Sequence, residues 1–211
     1  MNRMYFIEKY IKNIDYQTPI FTKDIYDYVK RFDDKVDQLL INTYIKRYME
    51  KNDFFVRYAK GIYYKTIRTP FGNAPIDLKL LYKKLFLYDG NDIIGYETGP
   101  SFMTKLGLTT QLANKIYFTT ENNRNTIVKD YVELVKPIIN INKHNYKYLQ
   151  ILDVIHNKFN VYFEVDNPED IIYEYIKDND LSFERLLYYA KFYNNNNLFL
   201  KIANIARLGE C

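Results

Sequence analysis

Apolar side chains recur every three or four positions at the start of the chain. Met4, Ile7, Tyr10 or Ile11 and Ile14 mark one face of an amphipathic helix over residues 4–13. Residues 15–19, ending in Pro19, break it. Ile20 and Phe21 suit a short strand, and Thr22 has the chemistry of an N-cap for a second helix through Val29, its hydroxyl accepting a first-turn amide. After the polar stretch 30–34, Val36, Leu39, Leu40, Ile45, Tyr48 and Met49 fit a longer third helix over residues 35–51, ended by Asn52-Asp53. Two β-prone runs, 54–58 and 62–64, flank Ala59-Lys60-Gly61 and predict a hairpin whose turn Gly61 supplies.

Residues 70–75, with Pro70, Gly72 and Pro75, form a run of breakers that marks a domain boundary. Beyond it the pattern predicts a helix over 76–88 closed by Asp89-Gly90, a strand over 93–96, and a short helix entered through Thr98-Gly99-Pro100 and ended by Gly107. A strand over 116–120, a turn over 121–125 and one or two strands within 126–135 complete a small α/β core. From Tyr146 the period is helical again: 146–158, 168–177 capped by Asn167, 183–193 capped by Ser182, and 198–206, with Asn194 to Asn197 as a turn. The expected class is α+β: a winged helix-turn-helix over residues 1–68, then an α/β domain with a C-terminal helical subunit over 69–211.

Composition narrows the options. A hydrophobic fraction of 47% with 27% charged residues is ordinary for a chain that packs a core, so wholesale disorder is not expected. The 23 Tyr and 14 Phe, with no Trp and abundant Ile, Asn and Lys, read first as an AT-rich coding bias rather than as stacking platforms. The single cysteine, Cys211, rules out an intramolecular disulfide. Residues 1–13 lack the apolar run of a signal peptide, and charges interrupt every hydrophobic stretch before it reaches spanning length. A cytoplasmic location with no membrane partner is therefore expected.

The net charge of +4 is unevenly distributed. Residues 1–68 hold 14 Lys and Arg against 9 Asp and Glu, while residues 69–211 hold 16 against 17. A basic excess gathered in one part of a chain is a footprint of polyanion contact. The element order gives it a geometry, because three helices followed by a basic hairpin is the order in which a third helix enters the major groove and a wing follows phosphates. On the third helix Lys35, Gln38, Asn42 and Lys46 recur three or four apart and so share a face. Gln and Asn can pair with adenine and Lys with guanine. Lys51, Arg57, Lys60, Lys65 and Arg68 continue the basic run into the hairpin. Lys35, Gln38, Asn42, Lys46, Arg57 and Lys60 are thus the candidate contacts to double-stranded DNA. Asp33, Asp34 and Asp37 suit a helix dipole and oppose phosphate.

The residue order also carries a resemblance. Tyr58-Ala59-Lys60-Gly61-Ile62-Tyr63-Tyr64-Lys65, then Gly95-Tyr96-Glu97-Thr98-Gly99-Pro100-Ser101 and Leu106-Gly107-Leu108-Thr109-Thr110-Gln111 ahead of Lys115-Ile116-Tyr117-Phe118-Thr119-Thr120, resembles the AbiEi-like antitoxins of bacterial type IV toxin-antitoxin systems. The similarity runs over roughly residues 20–155. It implies a winged helix that represses its own operon, a following domain implicated in antitoxicity, and a cognate nucleotidyltransferase-like toxin as partner. Read physically, Gly95, Gly99 and Gly107 permit tight turns, and Gln111 stands where its amide can tie the next loop to the core.

Catalytic machinery is not legible. His144 and His156 are the only histidines and no cysteine lies near them, so neither a metal nor a cofactor is expected. There is no Gly-x-x-x-x-Gly-Lys loop, and Gly99-Pro100-Ser101, which opens like a nucleotidyltransferase signature, is not followed by paired aspartates. Asp153 and His156, three apart on a predicted helix, read as a surface ion pair rather than an acid/base dyad. The expectation is a regulator and not an enzyme. The other reading is a protein-interaction module that uses the winged helix and the Tyr-rich C-terminal helices to bind a partner protein without DNA.

Overall fold

Helical periodicity places Ile7 and Ile11, four residues apart, against one core, and both are fully buried on α1 (Arg3–Asn13). The computed structural model describes residues 3–122 and 130–209. The chain is α+β and separates into two compact units, Met1–Lys84 and Leu85–Cys211. The breaker stretch 70–75 lies inside the first unit.

In the first unit β1 (Ile20–Phe21) leads directly into α2 (Thr22–Lys30), and α3 (Gln38–Lys51) precedes β2 (Phe55–Ala59) and β3 (Ile62–Lys65). Thr22 is not the N-cap of α2. Phe21 occupies that position, with its backbone N–H donating to the Asp24 carboxylate at 3.2 Å. Thr22 instead joins the helix to the hairpin: its N–H donates to the Gly61 carbonyl at 3.0 Å and its hydroxyl to the same oxygen at 3.4 Å. The strands form an antiparallel sheet in the order β1-β3-β2. Ile25, Val29, Ile41, Ile45, Tyr48 and Phe55 join Ile7 and Ile11 in the core between helices and sheet. Each such side chain stabilises the unit by about 1.5–3 kcal/mol through removal from water.

The remainder of the first unit is tied to this core. A small hairpin, β4 (Arg68–Thr69) and β5 (Gly72–Asn73), occupies the breaker stretch. The Asp77 N–H then donates to the Gln17 carbonyl at 2.8 Å, and the Asp77 carboxylate caps α4 (Leu78–Tyr82) by accepting from Leu80 N–H. Lys84 closes the unit on the carbonyl of Pro19 and the carboxylate of Asp24. The single helix expected over 76–88 is therefore two pieces, α4 and a π-helical segment Lys83–Leu87.

The second unit begins with a hairpin, β6 (Tyr88–Asp89) and β7 (Asp92–Ile93), followed by β8 (Gly95–Thr98), α5 (Gly99–Lys105), β9 (Ile116–Thr120) and β10 (Val132–Val135). Its larger sheet runs β10-β9-β8, antiparallel between β8 and β9 and parallel between β9 and β10. Residues 126–129 of the expected strand region lie outside the described residues, as does Cys211. Gly95 is required by close approach, since a Cβ there would stand 2.1 Å from the Phe86 carbonyl oxygen. Packed on the sheet is α6 (Tyr146–His156), buried at every position from Tyr148 to Ile155. A helix buried all round is a core helix, and α7 (Pro168–Asp178), α8 (Phe183–Ala190) and α9 (Asn196–Arg207) surround it. Ser182 caps α8 by accepting from Arg185 N–H at 3.3 Å. Asn194 takes a left-handed turn at φ 49° and Asn195 caps α9, accepting from Asn197 N–H.

Candidate nucleic-acid interface

α3 is amphipathic around its circumference. Ile41, Ile45 and Tyr48 face the core, and Gln38, Asn42 and Lys46, at intervals of four, form an exposed row with Leu39, Thr43 and Arg47 beside it. Lys35 does not belong to that row. α3 starts at Gln38 because the Asp37 carboxylate accepts from Leu40 N–H at 2.8 Å and fixes the N-cap there. Lys35 precedes it in an exposed turn held by its own N–H donating to Asp33. Sequence periodicity began the helix too early because Val36 is apolar and buried without being helical.

The hairpin presents Arg57 and Lys60 to solvent. Lys60 and Gly61 form its turn, with Gly61 at φ +77°, and a register shift between Arg57 and Ala59 bends the strand. The Arg57 guanidinium donates to the Ala59 carbonyl at 3.2 Å, which lays the side chain along the arm. Two members of the basic run are otherwise engaged. Lys65, 6% exposed, is turned inward, its ammonium donating to the Lys12 carbonyl at 3.0 Å and standing 4.9 Å from the Tyr16 ring centroid. Burial holds its pKa below the ordinary lysine value, opposed by the charge of Asp15. Arg68 pairs with Asp53 at 3.3 Å on the exposed surface.

Two of the three acidic residues near α3 are also occupied. Asp33 pairs with Arg3 and holds the turn at Lys35, and the Arg3 hydrogen bond holds its carboxyl below the usual range. Asp37 serves as the cap. Met1–Lys84 carries 17 Lys and Arg against 10 Asp and Glu, an excess of seven positive charges, whereas Leu85–Cys211 carries 13 against 16. The basic asymmetry therefore coincides with a folded unit, and a field of one sign over such a unit attracts a polyanion.

A second polar cluster sits in the core of the other unit. Asp153 on α6 is 3% exposed; its Oδ1 accepts from the Tyr193 hydroxyl at 2.8 Å, and its Oδ2 accepts from Thr98 at 2.9 Å, Tyr96 at 3.2 Å and Thr119 at 3.4 Å. Desolvation raises the Asp153 carboxyl pKa, opposed by those hydrogen bonds and by Lys158. Asp153 is thus not the surface partner of His156, whose Nδ1 meets the Asn195 amide at 3.2 Å and whose ring lies edge-on to Tyr193. The sequence held a signal for this: an acid enclosed by Ile151, Leu152, Val154 and Ile155 has an apolar neighbour whichever way its helix turns. One turn earlier Gln150 donates to the Glu97 carbonyl at 2.7 Å and accepts from the Tyr175 hydroxyl at 2.9 Å. Both residues pin α6 to the sheet and its neighbours.

The motif residues 95–101 form β8 and the entry to α5, and 106–111 form the loop after α5. Gln111 is exposed and holds that loop through its backbone: its carbonyl accepts from Thr104 at 3.0 Å and its N–H donates to the Thr109 hydroxyl. Glu164 completes the tie, accepting from the N–H and hydroxyl of Thr110, contacts that lower its pKa. Among the described residues no group of three or more His, Cys, Asp or Glu is placed to hold a metal ion, and no helix is long and apolar enough to cross a membrane. The chain matches no protein-family model and no curated protein.

Proposed function

We propose that the chain is a DNA-binding regulator whose first unit is a winged helix, α3 lying in the major groove and the β2-β3 hairpin lying along the backbone. The observation that carries this reading is the exposed row Gln38, Asn42 and Lys46 on α3, in the same positively charged unit as the exposed Arg57 and Lys60. The resemblance to AbiEi-like antitoxins supports a more specific role: repression of its own operon and neutralisation of a cognate nucleotidyltransferase-like toxin in the cytoplasm, without catalysis of its own. Phosphate contacts are tested by salt. Binding to the duplex upstream of its own gene falls with rising salt, with a slope of about 0.9 per phosphate neutralised, so Lys60→Ala lowers that slope by about 1 for every sequence alike. Unchanged retardation of the duplex by an Arg57→Ala, Lys60→Ala double variant refutes the assignment.

A second reading has its own observation. Tyr188 and Phe192 stand exposed with ring centroids 5.8 Å apart, beside Leu187, and Leu200 on α9 is 66% exposed. Aromatic side chains at a surface are interface material. On this reading the chain binds a partner protein through its C-terminal helices and its winged helix, without DNA. Co-purification with the neighbouring gene product, without retention on DNA at low salt, favours it over the first.

A further inference from the structure

We propose that α3 reads A·T base pairs through the major groove, a specificity that rests on the DNA-binding reading above. At about 100° per residue, Gln38, Asn42, Lys46, Leu39, Thr43 and Arg47 spread over an arc of about 180° of the helix surface, with Leu39 and Thr43 opposite the Ile41, Ile45 and Tyr48 face and Gln38 at its edge. In a groove-bound helix the first turns meet the base edges. Residues 38–45 contain no Lys, Arg, Asp or Glu. The side chains that pair best with guanine and with cytosine are therefore missing from the turns that would reach them.

What those turns present instead suits one base pair. Gln38 and Asn42 are exposed and one turn apart, and a carboxamide accepts from adenine N6 while donating to N7. Leu39 is 77% exposed and so free to touch a base edge. The Thr43 hydroxyl donates to the Leu39 carbonyl at 2.9 Å, so its proton is committed to the helix and its methyl remains for contact. Thymine differs from cytosine in the major groove by the C5 methyl, the group that Leu39 and Thr43 complement. Lys46 and Arg47 lie two turns further along, about 12 Å from Gln38 at 1.5 Å per residue, where the helix leaves the bases for the phosphates. Glu50 shares the arc but stands about 18 Å along the axis.

The test is fluorescence anisotropy of the full chain with duplexes of equal length containing only A·T, only G·C or only inosine·cytosine pairs, at one salt concentration. Inosine·cytosine resembles G·C in the major groove and A·T in the minor groove. The expected result is A·T binding about tenfold tighter than both others. Equal affinity for A·T and inosine·cytosine means minor-groove readout and overturns the proposal. Equal affinity for all three overturns it while leaving DNA binding standing, and binding to none defeats both readings. A further arm replaces thymine by uracil. Loss of the methyl weakens the native chain about threefold and leaves a Leu39→Ala, Thr43→Ser variant unaffected; an equal loss in both overturns the methyl contact.

Discussion

Replacing Asp153 tests how the second unit is held together. Asp153→Ala removes the acceptor of the Tyr193, Thr98 and Tyr96 hydroxyls, at 2.8, 2.9 and 3.2 Å, and leaves a void beside α6. Hydrogen bonds to a charged group contribute about 1.5–3 kcal/mol each. Tyr193 keeps the Leu149 carbonyl at 3.2 Å, and removing a buried carboxylate also removes its desolvation cost. The balance is a loss of about 2–4 kcal/mol, or roughly 5–15 °C in melting temperature. Asp153→Asn, of the same volume and still an acceptor, loses about 1 kcal/mol at acid pH. Its pH dependence separates charge from shape. Burial raises the folded carboxyl above its ordinary value of 3.8, so between the two values the folded chain binds more proton than the unfolded chain. Stability from the protonated acid is full below the unfolded value and is lost as pH rises through the folded one. The Asn variant lacks this loss and gains on the native chain across that window. Urea unfolding followed by circular dichroism, since there is no Trp, with hydrogen exchange of α6 amides to assign the transition, provides the measurement. A cost below about 1 kcal/mol for Asp153→Ala, or an Asn-to-native difference flat from pH about 3.5 to 7, refutes the reasoning.

Three further outcomes follow from the geometry. On the proposed DNA-binding reading, Lys65→Met leaves DNA affinity unchanged because the ammonium is turned inward, and a fall in affinity equal to that of Lys60→Ala contradicts the placement. Gly95→Ala brings a Cβ against the Phe86 and Thr119 carbonyl oxygens and lowers stability by about 3 kcal/mol or more, read by thermal melting. Asp37→Ala removes the cap of α3 and costs about 1 kcal/mol in chemical denaturation; on the proposed function it also weakens DNA binding as the first turn frays.

Periodicity in the sequence made α1, α3, α6 and α8 legible because each sets apolar residues at helical intervals against a core, and Ser182 marked a real start. What stayed hidden depends on contacts far along the chain. Lys65 reads as a wing cation until its ammonium is seen to reach the Lys12 carbonyl, 53 residues away, with the side chain only 6% exposed. Thr22 has the side chain of a cap, yet the Gly61 carbonyl, 39 residues away, takes its hydroxyl. Residues 70–75 have the composition of a linker, but the Gln17 side chain donating to the Pro75 carbonyl holds them in the first unit. Among the candidate DNA contacts the row on α3 was legible from spacing alone, whereas the exclusion of Lys35 from the helix required knowing which of three neighbouring aspartates caps it.

The two hydrogen bonds from Thr22 to the Gly61 carbonyl give the arm a property that charge alone does not. A cation on a loose loop must surrender its freedom when it meets a polyanion, and that entropy is subtracted from the affinity. The turn bearing Lys60 is anchored at its neighbouring carbonyl to the first residue of a helix, so backbone freedom there is already reduced in the unbound chain. Loosening the anchor with Thr22→Val would cost little attraction and act mainly through disorder.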